Sequence, residues 1–158
     1  IEFSDETIFK GSNFILVPTQ KNKSETVEAI KELAHKMEFG RICTLSIEEH
    51  DKMIGFLSQL THVIAVSLMN THDNAHLVEY TGDSFRDLTR IAKINEDLWT
   101  ELFIMNKDIL LDEINQFIDS ISHFRDSLEQ EDTQEMKRLF IQSTKRRDKF
   151  NKTDAKKR

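Results

Sequence analysis

A mainly helical chain preceded by one short βαβ unit is the fold class this sequence predicts, and three observations carry it. Only 4 glycines and 1 proline occur in 158 residues, concentrated early, so mixed structure belongs to the first part and helix to the rest. Apolar residues recur at helical spacing over three long stretches, from Val27 to Met37, Met53 to Met69 and Leu98 to Leu128. Two short β-prone runs flank the first of these stretches.

Phe14-Ile15-Leu16-Val17, stopped by Pro18, reads as a buried strand. Ser24 is placed to cap the next helix, where Val27, Ile30, Leu33, Ala34 and Met37 share a face before Gly40 ends it. Ile42-Cys43-Thr44-Leu45 is the second strand. Strand, helix and strand make a parallel unit with a right-handed crossover, too small for a sheet covered on both faces. Residues 1–45 are therefore expected to be the closing edge of a doubly wound domain.

Ser46-Ile47-Glu48-Glu49 is a capping box that opens a helix running to about Asn70. Its apolar residues cover nearly the whole circumference, which predicts burial on all sides, at the centre of a helical domain or of a dimer. Ser58 and His62 lie one turn apart on it; taken alone, His62 reads as a core histidine with a satisfied ring. His50-Asp51 reads as polarity at a domain junction. His72 to Thr81 is polar and reads as a loop; His72 and His76 lack a third metal ligand, so no metal is expected.

Tyr80 to Trp99 gathers a turn, a helix start, two arginines and the only tryptophan. Gly82-Asp83 supplies the turn, and Ser84 with Asp87 resembles a capping box for a helix over Phe85–Ala92. Arg86 and Arg90 then share a face, a pairing suited to an anionic ligand, although spacing alone favours surface pairs with nearby carboxylates. Asn95 caps one long helical pattern whose wide apolar stripe, Leu98 to Leu128, predicts a dimer seam. Asp132 or Thr133 caps the last helix. From Lys145 onward eight cationic residues face only Asp148 and Asp154, the pattern of a solvated helix end and linker.

Composition narrows the function classes. A 32% charged, 38% hydrophobic chain with net charge −6 and pI near 5.5 is not built to coat nucleic acid or an anionic membrane. No apolar run is expected to reach the roughly 18 residues of a membrane span, and no signal-peptide pattern is present. Cys43 stands alone, which fits a reduced, cytoplasmic compartment. The G-x-G-x-x-G phosphate loop is absent. The chain opens on Ile1-Glu2-Phe3 without Met, so a piece of a longer protein is expected.

Taken in order, Asn13-Phe14-Ile15-Leu16-Val17-Pro18-Thr19, Glu49-His50-Asp51, Ser58-Gln59-Leu60-Thr61-His62 and Phe85-Arg86-Asp87-Leu88-Thr89-Arg90-Ile91-Ala92, followed by Trp99 and Asn106, resemble the prephenate dehydrogenase family. The resemblance spans Asn13 to about Phe124. It implies a helical dimerisation domain of the 6-phosphogluconate-dehydrogenase-like type over 46–147, after a Rossmann remnant over 1–45 and before a basic tail over 148–158. It implies NAD or NADP held mainly by an upstream domain, which would also carry the catalytic histidine, so no catalytic residue is expected here and this chain alone is expected to be inactive.

By the same resemblance Arg90 binds a carboxylate of prephenate, Arg86 holds the neighbouring basic position, and His62, Ser58 and Trp99 line the pocket. The implied reaction passes hydride to the nicotinamide as the ring carboxylate leaves as CO₂, giving 4-hydroxyphenylpyruvate in tyrosine biosynthesis. A homodimer is implied, and some relatives carry a regulatory ACT domain after the helices. Two departures stand out: Asp83-Ser84 where the family has glycines, and Gln59 and Thr61 where it often has histidine and proline. The rival readings are arogenate as substrate, or a non-catalytic helical interaction module.

Overall fold

The computed structural model describes residues 5, 7–72 and 75–150. Two parallel strands, β1 (Asn13–Leu16) and β2 (Arg41–Thr44), flank helix α1 (Ser24–Lys36), pairing Asn13 with Arg41 and Leu16 with Thr44. This is the expected βαβ unit. The α1 boundaries differ from expectation at both ends. Lys23 is the N-cap and Ser24 is already helical, without a side-chain cap bond. The chain leaves the helix through Glu38, in the left-handed region at φ 59°, rather than through Gly40. Gly40 is needed for another reason: a Cβ there would lie 2.8 Å from the Gly11 carbonyl oxygen, so only glycine lets the two backbones approach. Phe39 stacks on Phe9 at 5.2 Å and meets Phe14 edge-on at 4.8 Å.

The next run is continuous but not uniform. Helix α2 (Ile47–Ile54) passes into a π-helical turn (Gly55–Leu60) and then α3 (Thr61–Asn70). The capping box forms as expected: Ser46 Oγ accepts from the Glu49 backbone N–H at 3.2 Å, and the Glu49 carboxylate accepts from the Ser46 N–H at 2.8 Å. That bond from the Ser46 backbone holds the Glu49 pKa below its usual range. By length and composition Ile47–Asn70 could cross a membrane, which corrects the expectation that no stretch would. Burial on all sides is corrected too. Gly55, Gln59, Leu60 and Ala65 are buried, while Phe56 and Leu57 are each 52% exposed.

A 3₁₀ segment (Ala75–Tyr80) occupies part of the expected loop; Asp73 falls outside the described residues. Helix α4 (Asp83–Thr89) is followed by a 3₁₀ turn (Arg90–Ala92), and α3 packs against both. Helix α4 begins at Asp83 with Gly82 as an extended N-cap, so Ser84 does not cap it. Gly82 and Asp83 both keep negative φ, so the chain turns here without a second glycine.

The long pattern after Asn95 is two helices, α5 (Glu96–Met105) and α6 (Lys107–Glu129), because Asn106 leaves the helical region at φ −115°, ψ 28°. Asn95 caps α5 as expected, accepting from Leu98 N–H at 2.9 Å. By its contacts the chain divides into two units, Ile1–Leu111 and Asp112–Arg158. The second unit is a hairpin of α6 with α7 (Thr133–Asp148), capped by Asp132, whose carboxylate accepts from Gln134 and Glu135 N–H. Within it Phe124 and Phe140 pack at 6.0 Å, and His123 Nε2 meets Glu135 Oε1 at 2.7 Å. Residues 151–158, most of the basic tail, lie outside the described residues.

Candidate functional site

Three of the five anticipated site residues converge in the first unit. His62, in the first turn of α3, stacks on Trp99 of α5 with ring centroids 3.7 Å apart and an interplanar angle of 30°. Trp99 in turn meets Phe103 edge-on at 5.5 Å. Ser58 joins through its backbone, because His62 Nδ1 lies 2.8 Å from the Ser58 carbonyl oxygen. A carbonyl can only accept, so Nδ1 carries the proton. The neutral ring then offers Nε2 as an acceptor, and the protonated ring offers it as a donor. Thr61 Oγ1 donates to the same carbonyl at 2.6 Å. This ties down the position where the related pattern has proline.

Both arginines lie on elements packed against α3, and both are exposed. Arg90 opens the 3₁₀ turn beyond α4. Arg86 is on α4 itself, with its guanidinium 3.6 Å from the Asp83 carboxylate. At this exposure such a pair is worth little and is readily exchanged for another anion. Junction polarity at His50-Asp51 takes the form of an Nδ1–Oδ1 contact of 3.0 Å.

Two further polar groups belong to this packing: Gln59, which the sequence marks only as a departure, and Asn106, which it gives only as part of the family-like pattern. Both are engaged across the packing of the π-helical turn on α5: Asn106 Nδ2 lies 2.7 Å from Gln59 Oε1. The available signal was a lone amide inside an otherwise apolar helical face, together with an asparagine interrupting an apolar ladder. An open cleft lined by Pro18, Thr19, Lys21, Ser46, Ile47 and Glu48 also lies just beyond the carboxyl ends of β1 and β2, where parallel sheets commonly receive ligands.

The sequence pattern described as "Prephenate dehydrogenase, dimerization domain" matches residues 46–142. Over 140 residues the chain is 34% identical to the prephenate dehydrogenase of Bacillus subtilis (strain 168), covering 85% of this chain and 38% of that protein. It is 27% identical over 146 residues to the cyclohexadienyl dehydrogenase of Zymomonas mobilis, covering 89% of this chain and 50% of that protein. Among solved structures, prephenate dehydrogenase from A. aeolicus, in complex with hydroxyphenyl propionate and NAD+, superposes with a TM-score of 0.82 at 27% identity, covering 95% of this chain and 54% of that one. The chain thus spans about half the length of these relatives or less. With the pattern matched over most of its helical part, the chain belongs to the prephenate dehydrogenase family.

Proposed function

We propose that this chain is the substrate-binding and dimer-forming part of an NAD(P)-dependent prephenate dehydrogenase, a cytoplasmic oxidoreductase of tyrosine biosynthesis. The observation that carries the reading is one arrangement: the Arg90 turn packs on α3, and α3 begins with the His62–Trp99 stack. Arg90 supplies a guanidinium fork for a carboxylate of prephenate, and Arg86 supplies a second cation. His62 and Trp99 offer a flat, partly apolar floor for the six-membered ring, with Nε2 as its polar contact. Residues 1–45 are read as the edge of a nucleotide-binding domain, 46–147 as the helical domain and 148–158 as a tail.

The dinucleotide, when bound, accepts the hydride. This chain's own assigned residues serve the acid, and the dinucleotide is read as held mainly by an upstream domain, since the glycines here have other uses: Gly11 and Gly40 in a close approach, Gly55 inside a helical run and Gly82 at an N-cap. With a nucleotide-binding half completing the cleft, Arg90→Ala is expected to raise KM for prephenate by about 2 kcal/mol, roughly 30-fold, in a steady-state assay of NADH formation. An unchanged KM removes Arg90 from the site.

A second reading, arogenate in place of prephenate, is favoured by Asp83. Its carboxylate beside Arg86 offers a partner for an ammonium, a group that arogenate carries and prephenate lacks.

A further inference from the structure

Gln59 sits in the π-helical turn with only 4% of its surface exposed. A buried amide requires partners at both its ends, and both are present. Its Nε2 donates to the Leu102 carbonyl of α5 at 3.0 Å, and its Oε1 accepts from Asn106 Nδ2 at 2.7 Å. The same Asn106 nitrogen donates to the Asp51 carbonyl of α2 at 3.0 Å. One ladder of amides thus links α2, the π-helical turn and the end of α5.

The ladder lies in register with the ring stack. Gln59 meets Leu102, while His62, three residues further along, meets Trp99, three residues back. That is the relation of two antiparallel helices locked at a single setting. A slip of one helical turn would carry the imidazole about 5.4 Å off the indole. Apolar contacts alone discriminate poorly between such settings because they are non-directional. Directed bonds discriminate well, since a slip leaves a buried amide unpaired. Insertion of a π-helical turn at functional sites is a recurrent device for aiming side chains, and here it brings Gln59 inward and His62 onto α5.

We infer that Gln59 and Asn106 are positioning residues whose amide ladder sets the register of α5 against the π-helical turn and so holds the His62 imidazole on the Trp99 indole. The functional weight of this inference rests on the reading above, in which the stack lines the prephenate site.

The stack reports on itself in the intact chain. Trp99 is the only tryptophan, and an imidazole in ring contact quenches indole emission. At one fixed pH His62→Gln is expected to emit more strongly than the unaltered protein, and that difference measures the stack. Gln59→Leu, which keeps bulk and drops both bonds, and Asn106→Asp, which keeps shape and removes the donor, are each expected to rise to the His62→Gln level while circular dichroism still shows the helices. Gln59→His, retaining a ring donor and acceptor, is expected to keep the lower emission. Should Gln59→Leu lose its helical signal, Asn106→Asp decides. Emission unchanged from the unaltered protein in the folded ladder variants overturns the inference, as does equal emission from His62→Gln and the unaltered protein. Raised emission in those variants, alongside failure of the chain to bind prephenate once a nucleotide-binding half completes the cleft, supports the ladder and overturns the substrate reading.

Discussion

Asp83 is one of the residues at which this chain departs from the pattern its resemblance implies, and its geometry gives that departure a direction. Its carboxylate pairs with Arg86 at 3.6 Å, both groups largely exposed, so it competes with an incoming carboxylate for the guanidinium while offering an anion of its own. Asp83→Gly is therefore expected to lower KM for prephenate and raise it for arogenate, by several-fold each, since a single exposed charge contact contributes under about 1 kcal/mol. Parallel steady-state assays with the two acids check this, and equal shifts for both would place Asp83 outside the recognition surface. At this scale residue type and spacing alone were only partly legible: they favoured surface pairs for Arg86 and Arg90 and a core histidine at His62, and it was the order of the matching segments that singled these out together with Trp99. A lone amide in an apolar helical face marks Gln59, but its partners lie 43 and 47 residues away, so no local pattern identifies them. Ser58 follows from the sequence only as a residue one turn from His62, and the structure adds that its backbone carbonyl is what holds the imidazole.

Helices whose ends depend on local chemistry were also legible. Ser46, Asn95 and Asp132 cap as their spacing predicts. Ser24 and Ser84 do not, because each helix starts one residue or more earlier, and the capping pattern cannot distinguish these starts. The π-helical turn and the α5–α6 break both accompany bonds between distant segments, so no window of sequence announces them. Between α6 and α7 the decisive group is Glu135. Hydrogen bonds from Arg138 (2.6 Å from Nε) and then from His123 lower its pKa from 4.5 to about 2. The folded hairpin thus favours the ionised carboxylate, so the contribution is fully present above pH 4.5 and is lost as pH falls towards 2. Thermal unfolding followed by circular dichroism is expected to show stability declining across that window. Glu135→Gln is expected to be less stable at neutral pH and to show a shallower decline; an identical pH profile would mean that the carboxylate contributes nothing to the hairpin.

For the molecule as a whole, the balance of buried and exposed apolar surface is the telling quantity. Among the described residues Ala34, Leu60, Ala65 and Leu110 are the buried apolar side chains, and no large side chain is fully buried. On α6, Ile118, Ile121 and Leu128 are each 50% exposed or more. Monomeric proteins rarely leave so much contiguous helical stripe uncovered, and a symmetric partner presenting the same stripe would cover it. Sedimentation at micromolar concentration is expected to find a homodimer, and a monomer would remove the seam. The all-round apolar helix was legible as a helix needing cover. How much of that cover a single chain supplies was not, since the pattern of side chains says which surface is apolar and not what meets it.

The wide sequence separation of the amide ladder also sets an order of events in time. Its bonds join residues 43, 47 and 55 positions apart, and such distant closures form only after the chain has met the entropy of a long loop. The His62–Trp99 stack, held in register by those bonds, is therefore among the later contacts of this unit to form, and until then the apolar run over Ile47–Asn70 lacks the cover of α5.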